Sequence, residues 1–221
     1  MTPFKKIPAT AAKRAGGEAQ LKKLLPQAKS AKALKSVSDD RYLSMMSLRV
    51  FSAGLKYSMV KGKWPAFEEV FPGFDPKRVR AMSDESLEGL LNEKPIIRHW
   101  GKIKATRVNA AAMCDIADEA GNFSSWLSAW PADDCLGLWD ALTKRFTQLG
   151  GFSGPFFLRM AGKDTFMLSP DVGKALNKWG GYDGEIKGKK AALGAQDALN
   201  AAAESKLPLR QISRILAMSV D

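Results

Sequence analysis

From residue 37 onward the chain repeats apolar side chains at spacings of three and four, a period that favours helices packed on helices. Tyr42, Leu43, Met46, Val50 and Phe51 follow the cap cluster Ser38-Asp39-Asp40. Asp75-Pro76 opens a second helix, and Ser83-Asp84-Glu85-Ser86 a third that carries Leu87, Leu90 and Leu91. Ile96 to Ala120 reads as one long helix stopped by Gly121-Asn122. Further helices are expected over 134–148, 156–161, from Ser169-Pro170-Asp171 onward, over 189–205 and over 208–218. No run of alternating β-branched residues bounded by hairpin turns interrupts this pattern. The expected fold class is all-α, with about ten helices.

Length sets the scale of that bundle: 221 residues suit one domain better than two. With 45% apolar and 26% charged residues, the composition is that of a globular protein. No uninterrupted apolar run approaches the ~18 residues that a membrane span needs, and no apolar secretory segment opens the chain. Two cysteines, Cys114 and Cys135, with the single His99, make neither a disulfide scaffold nor an easy four-ligand zinc site. A reduced, cytoplasmic protein without metal or cofactor is expected.

The net charge of +11 is unevenly placed. Residues 1–36 hold nine basic groups (Lys5, Lys6, Lys13, Arg14, Lys22, Lys23, Lys29, Lys32 and Lys35) against one acid, Glu18. The domain organisation read from this is a basic arm over 1–36, mobile or loosely helical, ahead of a helical domain over 37–221. Such an arm suits a phosphate backbone, with a plain solubilising role close behind and a membrane surface a distant third.

The segment Leu149-Gly150-Gly151-Phe152-Ser153-Gly154-Pro155 joins two helices. Glycines let a backbone turn sharply and come close to a ligand. The helix that follows is expected to present free N–H groups at its start, where an anion binds readily. Arg159 and Lys163 lie near enough in sequence to add charge. The same residues also suit a tight turn between core helices.

Two stretches resemble a known family. Ile96-Ile97-Arg98-His99-Trp100-Gly101-Lys102-Ile103, preceded by Phe74-Asp75-Pro76 and followed by Asn109-Ala110, is similar to the central segment of the bacterial 3-methyladenine DNA glycosylase I family. Asp39-Asp40-Arg41 and Ala53-Gly54-Leu55 resemble its first core helix. Gly151 to Trp179 resembles the helix-hairpin-helix and following helix of the wider DNA glycosylase superfamily. The resemblance spans roughly 38–218 and thins between 115 and 140. It implies a base-excision repair enzyme that flips a damaged, alkylated base out of double-stranded DNA. The hairpin residues Gly151, Phe152, Ser153, Gly154 and Pro155, with Arg159 and Lys163, become candidate DNA contacts. Phe51, Tyr57, Trp64 and Trp100 become candidate pocket aromatics. Tyr57 leads them, because it stands where the family has a pocket tryptophan.

Four departures from the family pattern matter. The family's zinc, held by two Cys and two His, has no counterpart ligand set in this sequence. Its N-terminal Tyr-His-Asp…Glu-Trp-Gly segment is replaced by the basic arm. Its first-helix glutamate aligns with Arg49, which suits a phosphate or a neutral base rather than a cationic one. The superfamily's catalytic aspartate aligns with Ser169, and Asp171 lies two residues later. Ser169 is then a helix cap, and Asp171 either favours the helix dipole or serves as the working carboxylate. Pro155-Phe156 stands where bifunctional members carry the Schiff-base lysine, so strand cleavage is not expected. The reading is a monomeric, monofunctional glycosylase with Asp171 catalytic and Arg49, Tyr57 and Trp100 at the base pocket. The alternative is a catalytically silent DNA-binding module on the same fold.

Overall fold

The computed structural model describes residues 4–220. Among them there are fifteen α-helices, four short 3-10 turns and no strand. In chain order these are α1 (Ile7–Ala15), α2 (Glu18–Leu24), α3 (Ala31–Lys35), α4 (Asp39–Ser52), α5 (Tyr57–Gly62), α6 (Trp64–Val70), α7 (Pro76–Arg80), α8 (Asp84–Gly89), α9 (Trp100–Ala120), α10 (Phe123–Ala129), α11 (Cys135–Arg145), α12 (Ser153–Ala161), α13 (Pro170–Lys178), α14 (Gly188–Ala202) and α15 (Leu209–Met218). The all-α class is as expected. The count exceeds ten chiefly because residues 1–36 contribute α1, α2 and α3 and the segment after Gly54 adds α5; the shortest helices, α3 and α7, have five residues. None of these helices is long and apolar enough to cross a membrane.

The described residues form two compact units. One takes those of 1–29, 131–137 and 164–221, and the other takes 30–130 and 138–163. This division differs from a boundary at 36/37. Lysine-rich α1 and α2 are helices with buried faces: Ile7, Ala11 and Leu21 lie inside, and α1 packs on α15. Within that unit Asp164 accepts from the N–H groups of Leu209 and Arg210, both at 2.9 Å, and so caps α15. The Gln211 amide donates to Pro26 O at 3.1 Å, tying the segment after α2 to the same helix. The exposed face of the segment still carries Lys6, Lys13, Arg14, Lys22 and Lys23.

The other unit is built round α9, which packs on α4, α7 and α10. Its core includes Tyr42, Met46, Phe51, Phe67, Phe71, Phe74, Phe123 and Phe157, all fully buried. Burial contributes about 1.5–3 kcal/mol for each large apolar side chain, so these residues dominate the stability of the unit. Phe51 meets Phe67 edge-on at 4.5 Å, and Trp64 stacks on Phe67 at 4.7 Å and Phe74 at 5.3 Å. The Trp64 indole N–H donates to Ser44 Oγ at 2.9 Å, and Ser44 in turn donates to Glu68. Ser38 stands at the N-cap of α4 without a side-chain cap bond, and Asp39 turns elsewhere. Its carboxylate accepts from Phe123 N at 2.9 Å and Ser124 N at 3.1 Å, holding the start of α10.

Candidate nucleic-acid interface and base site

The turn between α11 and α12 is closed by its own backbone. Ser153 N–H donates to Gly150 O at 3.1 Å and Gly154 N–H to Leu149 O at 3.0 Å. Gly151 has φ of +57°, a conformation glycine adopts at little cost. Gly154 is required by space: a Cβ there would lie 2.9 Å from Leu149 O. Asn109, on α9, fixes the turn from outside. Its amide accepts from Thr147 N at 2.7 Å and donates to Thr147 O at 3.1 Å. Gln148 adds a bond to Gly101 O at 3.0 Å. The hairpin is thus docked on the N-terminal half of α9.

This differs in one respect from the expected arrangement. The N–H groups of Ser153 and Gly154 point into the turn and do not await an anion. Among the described residues nothing accepts from the N–H groups of Gly151 and Phe152. Main-chain donors therefore sit one to two residues earlier than the helix start. Phe152 (50% exposed) and Phe156 (44% exposed) present rings beside them. Pro155 is buried in the first turn of α12.

Lys163 does not face outward. It is 6% exposed, and its ammonium donates to Trp130 O at 2.6 Å, the carbonyl just beyond α10. Its charge is used inside the fold, which removes it from the candidate DNA contacts. Arg159 is half-buried on α12.

Arg49 lies in the last turn of α4 and reaches the hairpin. Its Nη2 donates to Ser153 Oγ at a long 3.4 Å, and its guanidinium carbon stands 4.9 Å from the centre of the Phe156 ring. Its Nε is buried without a partner. Lys102, on α9, is 7% exposed and donates to Phe51 O at 3.0 Å and Ala53 O at 2.7 Å, carbonyls at and just past the end of α4. Burial lowers the Arg49 guanidinium from its ordinary pKa; burial, and after it the Arg49 charge, lowers the Lys102 ammonium. Trp100 begins α9 at 37% exposure and Tyr57 begins α5 at 47%. The unit thus brings Arg49 to the hairpin beside Ser153 and Phe156. Phe51 and Trp64 are core residues. Lys102, Asn109 and Phe156 were not singled out from sequence. Lys102 and Asn109 stand inside the family-like run, and Phe156 has the visible signal of an aromatic two residues past a glycine turn.

Asp171 is exposed in the first turn of α13, in the unit that contains α1 and α15. Ser169 caps that helix, its Oγ accepting from Val172 N at 3.3 Å. Cys114 and Cys135 are buried free thiols, and no three His, Cys, Asp or Glu side chains among the described residues group as a metal site. The residues present do not fit the family's zinc.

Residues 33–136 match the methyladenine glycosylase family. Over part of its length the chain is similar to 3-methyladenine DNA glycosylase I. Over 72 residues it is 39% identical to DNA-3-methyladenine glycosylase 1 of Escherichia coli, a stretch covering 33% of this chain and 38% of that protein. It is 31% identical over 75 residues to DNA-3-methyladenine glycosylase of Haemophilus influenzae, covering 34% and 40%. The matched stretch therefore spans about two fifths of these relatives. A crystal structure of 3-methyladenine DNA glycosylase I superposes with a TM-score of 0.50 at 29% identity, covering 57% of this chain and 79% of that one. The Staphylococcus aureus enzyme, in a structure on 3-methyladenine recognition, gives 0.51 at 25% identity, covering 57% and 77%. The matched residues run through 115–136, where the resemblance read from sequence is thin, and stop short of the hairpin.

Proposed function

We propose that the chain is a monofunctional DNA glycosylase. It binds double-stranded DNA as a monomer in the cytoplasm, takes a damaged base out of the stack and hydrolyses its N-glycosidic bond. The observation that carries this reading is the hairpin: a turn whose Gly154 has no room for a Cβ, clamped to α9 by Asn109, with the Gly151 and Phe152 N–H groups left for an acceptor. The likeness to proteins named for 3-methyladenine makes alkylated bases the first class of damage to test.

Within the Gly151–Pro155 turn the Gly151 and Phe152 N–H groups hold a backbone phosphate, which positions the duplex without reading its sequence. Arg159 adds positive charge, and the exposed lysines of the first 36 residues add salt-sensitive affinity. Arg49, Tyr57 and Trp100 face the flipped base. Asp171 is the carboxylate assigned to the sugar. It stabilises the oxocarbenium-like charge and orients the attacking water. Water adds to C1′ as the base leaves. With no lysine at Pro155-Phe156 no Schiff base forms, and the strand stays whole.

The test is single-turnover base release by the wild type and Asp171→Asn from two duplexes, one methylated and one carrying a single uncharged lesion. Release by the wild type that falls by about 100-fold or more in Asp171→Asn supports the reading, on the scale seen when an electrostatic stabiliser of the transition state is removed. Undiminished release by the variant removes Asp171 from the chemistry. Binding to both duplexes without release from either makes the protein a silent DNA-binding module.

A further inference from the structure

Resting on that reading, the charge around Arg49 narrows the substrate. Arg49 is pinned between Ser153 Oγ and the Phe156 ring, with its Nε unpartnered. Lys102 stands behind it, its ammonium bonded to the carbonyls of Phe51 and Ala53 at the end of α4. Among the described residues neither enters an ion pair. Two cations thus meet at the hairpin edge of α4 with no carboxylate to offset them. A cationic base brought here is repelled, whatever the aromatic faces contribute.

We propose that Arg49 is a specificity residue: the base this site takes is uncharged and offers acceptor atoms, a ring nitrogen or carbonyl oxygen, to the guanidinium. The chemistry of bond breaking agrees. When C1′–N breaks in an uncharged nucleoside, the electron pair leaves on the base, which becomes an anion. A guanidinium donating to that base strengthens its hold as the charge develops. Water then adds to C1′ as hydroxyl, and the proton it sheds ends on the base. A base that starts cationic leaves neutral and gains nothing from Arg49.

Excision is measured under single turnover with the full chain on two duplexes: one with a single 1,N6-ethenoadenine, which is uncharged, and one with a single 7-methylguanine, which is cationic. The wild type is expected to release the uncharged base faster. Arg49→Gln is expected to slow that release by about tenfold or more, the scale of losing one charge-assisted hydrogen bond, and Arg49→Lys to slow it less. Arg49→Glu is expected to turn the preference toward 7-methylguanine. Faster wild-type release of 7-methylguanine overturns the inference while leaving the glycosylase reading in place, and needs no variant to fold. An unchanged ratio in Arg49→Gln with weaker binding to undamaged duplex makes Arg49 a phosphate contact and also overturns it. No release of the uncharged base by the wild type overturns the inference, while the glycosylase reading is decided separately by release from the methylated duplex.

Discussion

Replacing Gly154 by alanine puts a methyl group where the hairpin has no space. The new Cβ would stand 2.9 Å from Leu149 O, a backbone atom that cannot swing away as a side chain can. That same carbonyl accepts the Gly154 N–H at 3.0 Å, so relieving the clash lengthens the hydrogen bond that closes the turn. Such overpacking costs about 1–3 kcal/mol, and a weakened hydrogen bond about 1 kcal/mol. Alanine returns less than ~1 kcal/mol through helix propensity, because the site is at the very start of α12. The net loss is about 1–3 kcal/mol, which lowers the melting temperature by roughly 2–10 °C in a chain of this size. The control is Gly150→Ala, whose Cβ would meet only Thr143 Cγ2 at an ordinary 3.6 Å. Both variants are melted beside the wild type by circular dichroism, and their affinity for an undamaged duplex is measured. Gly154→Ala should melt lower and bind DNA more weakly, and Gly150→Ala should do neither. Equal melting of the two refutes the close-approach argument.

Other perturbations follow from the same contacts. Asn109→Ala removes both bonds to Thr147 and should cost about 1–3 kcal/mol in chemical denaturation, with DNA affinity falling as the hairpin loosens. Asp164→Ala uncaps α15 and should cost about 1–2 kcal/mol by the same assay. Burial, with Asp39 nearby, pushes the Tyr42 phenol up to about 12. The folded state therefore holds a proton that the unfolded chain loses near pH 10, and stability should fall as pH rises from about 10 to 12. Tyr42→Phe should flatten that fall, at the cost of about 1 kcal/mol at neutral pH for the lost bond to Leu34 O. Changing Lys13, Lys22 and Lys23 together to Gln should shrink the log–log salt slope of DNA binding by about 0.9 for each lysine that meets a phosphate.

The helical class is legible because period and caps agree. Ser83 accepts from Ser86 N as its cap cluster suggests, and Ser169 caps α13. Boundaries depend on side chains whose partners are distant in sequence. Ile96 and Ile97 read as helix, yet α9 starts at Trp100 because His99 Nδ1 accepts from Lys102 N at 3.3 Å. Asp39 looks like a cap for α4 and instead holds α10, 84 residues away. In the site, the glycine turn is visible in sequence because glycines mark backbone geometry. The use of Lys163 against Trp130 O is not visible, since a lysine's charge says nothing of which way its stem turns. The Arg49–Phe156 contact joins α4 to α12, a pairing that no local pattern encodes.

Glycosylase activity is read out by mixing excess wild-type protein with duplex DNA carrying defined damaged bases and measuring free base over time. A monofunctional glycosylase yields a released base and an intact strand bearing an abasic site. Duplex that is bound while every base stays attached would contradict that activity.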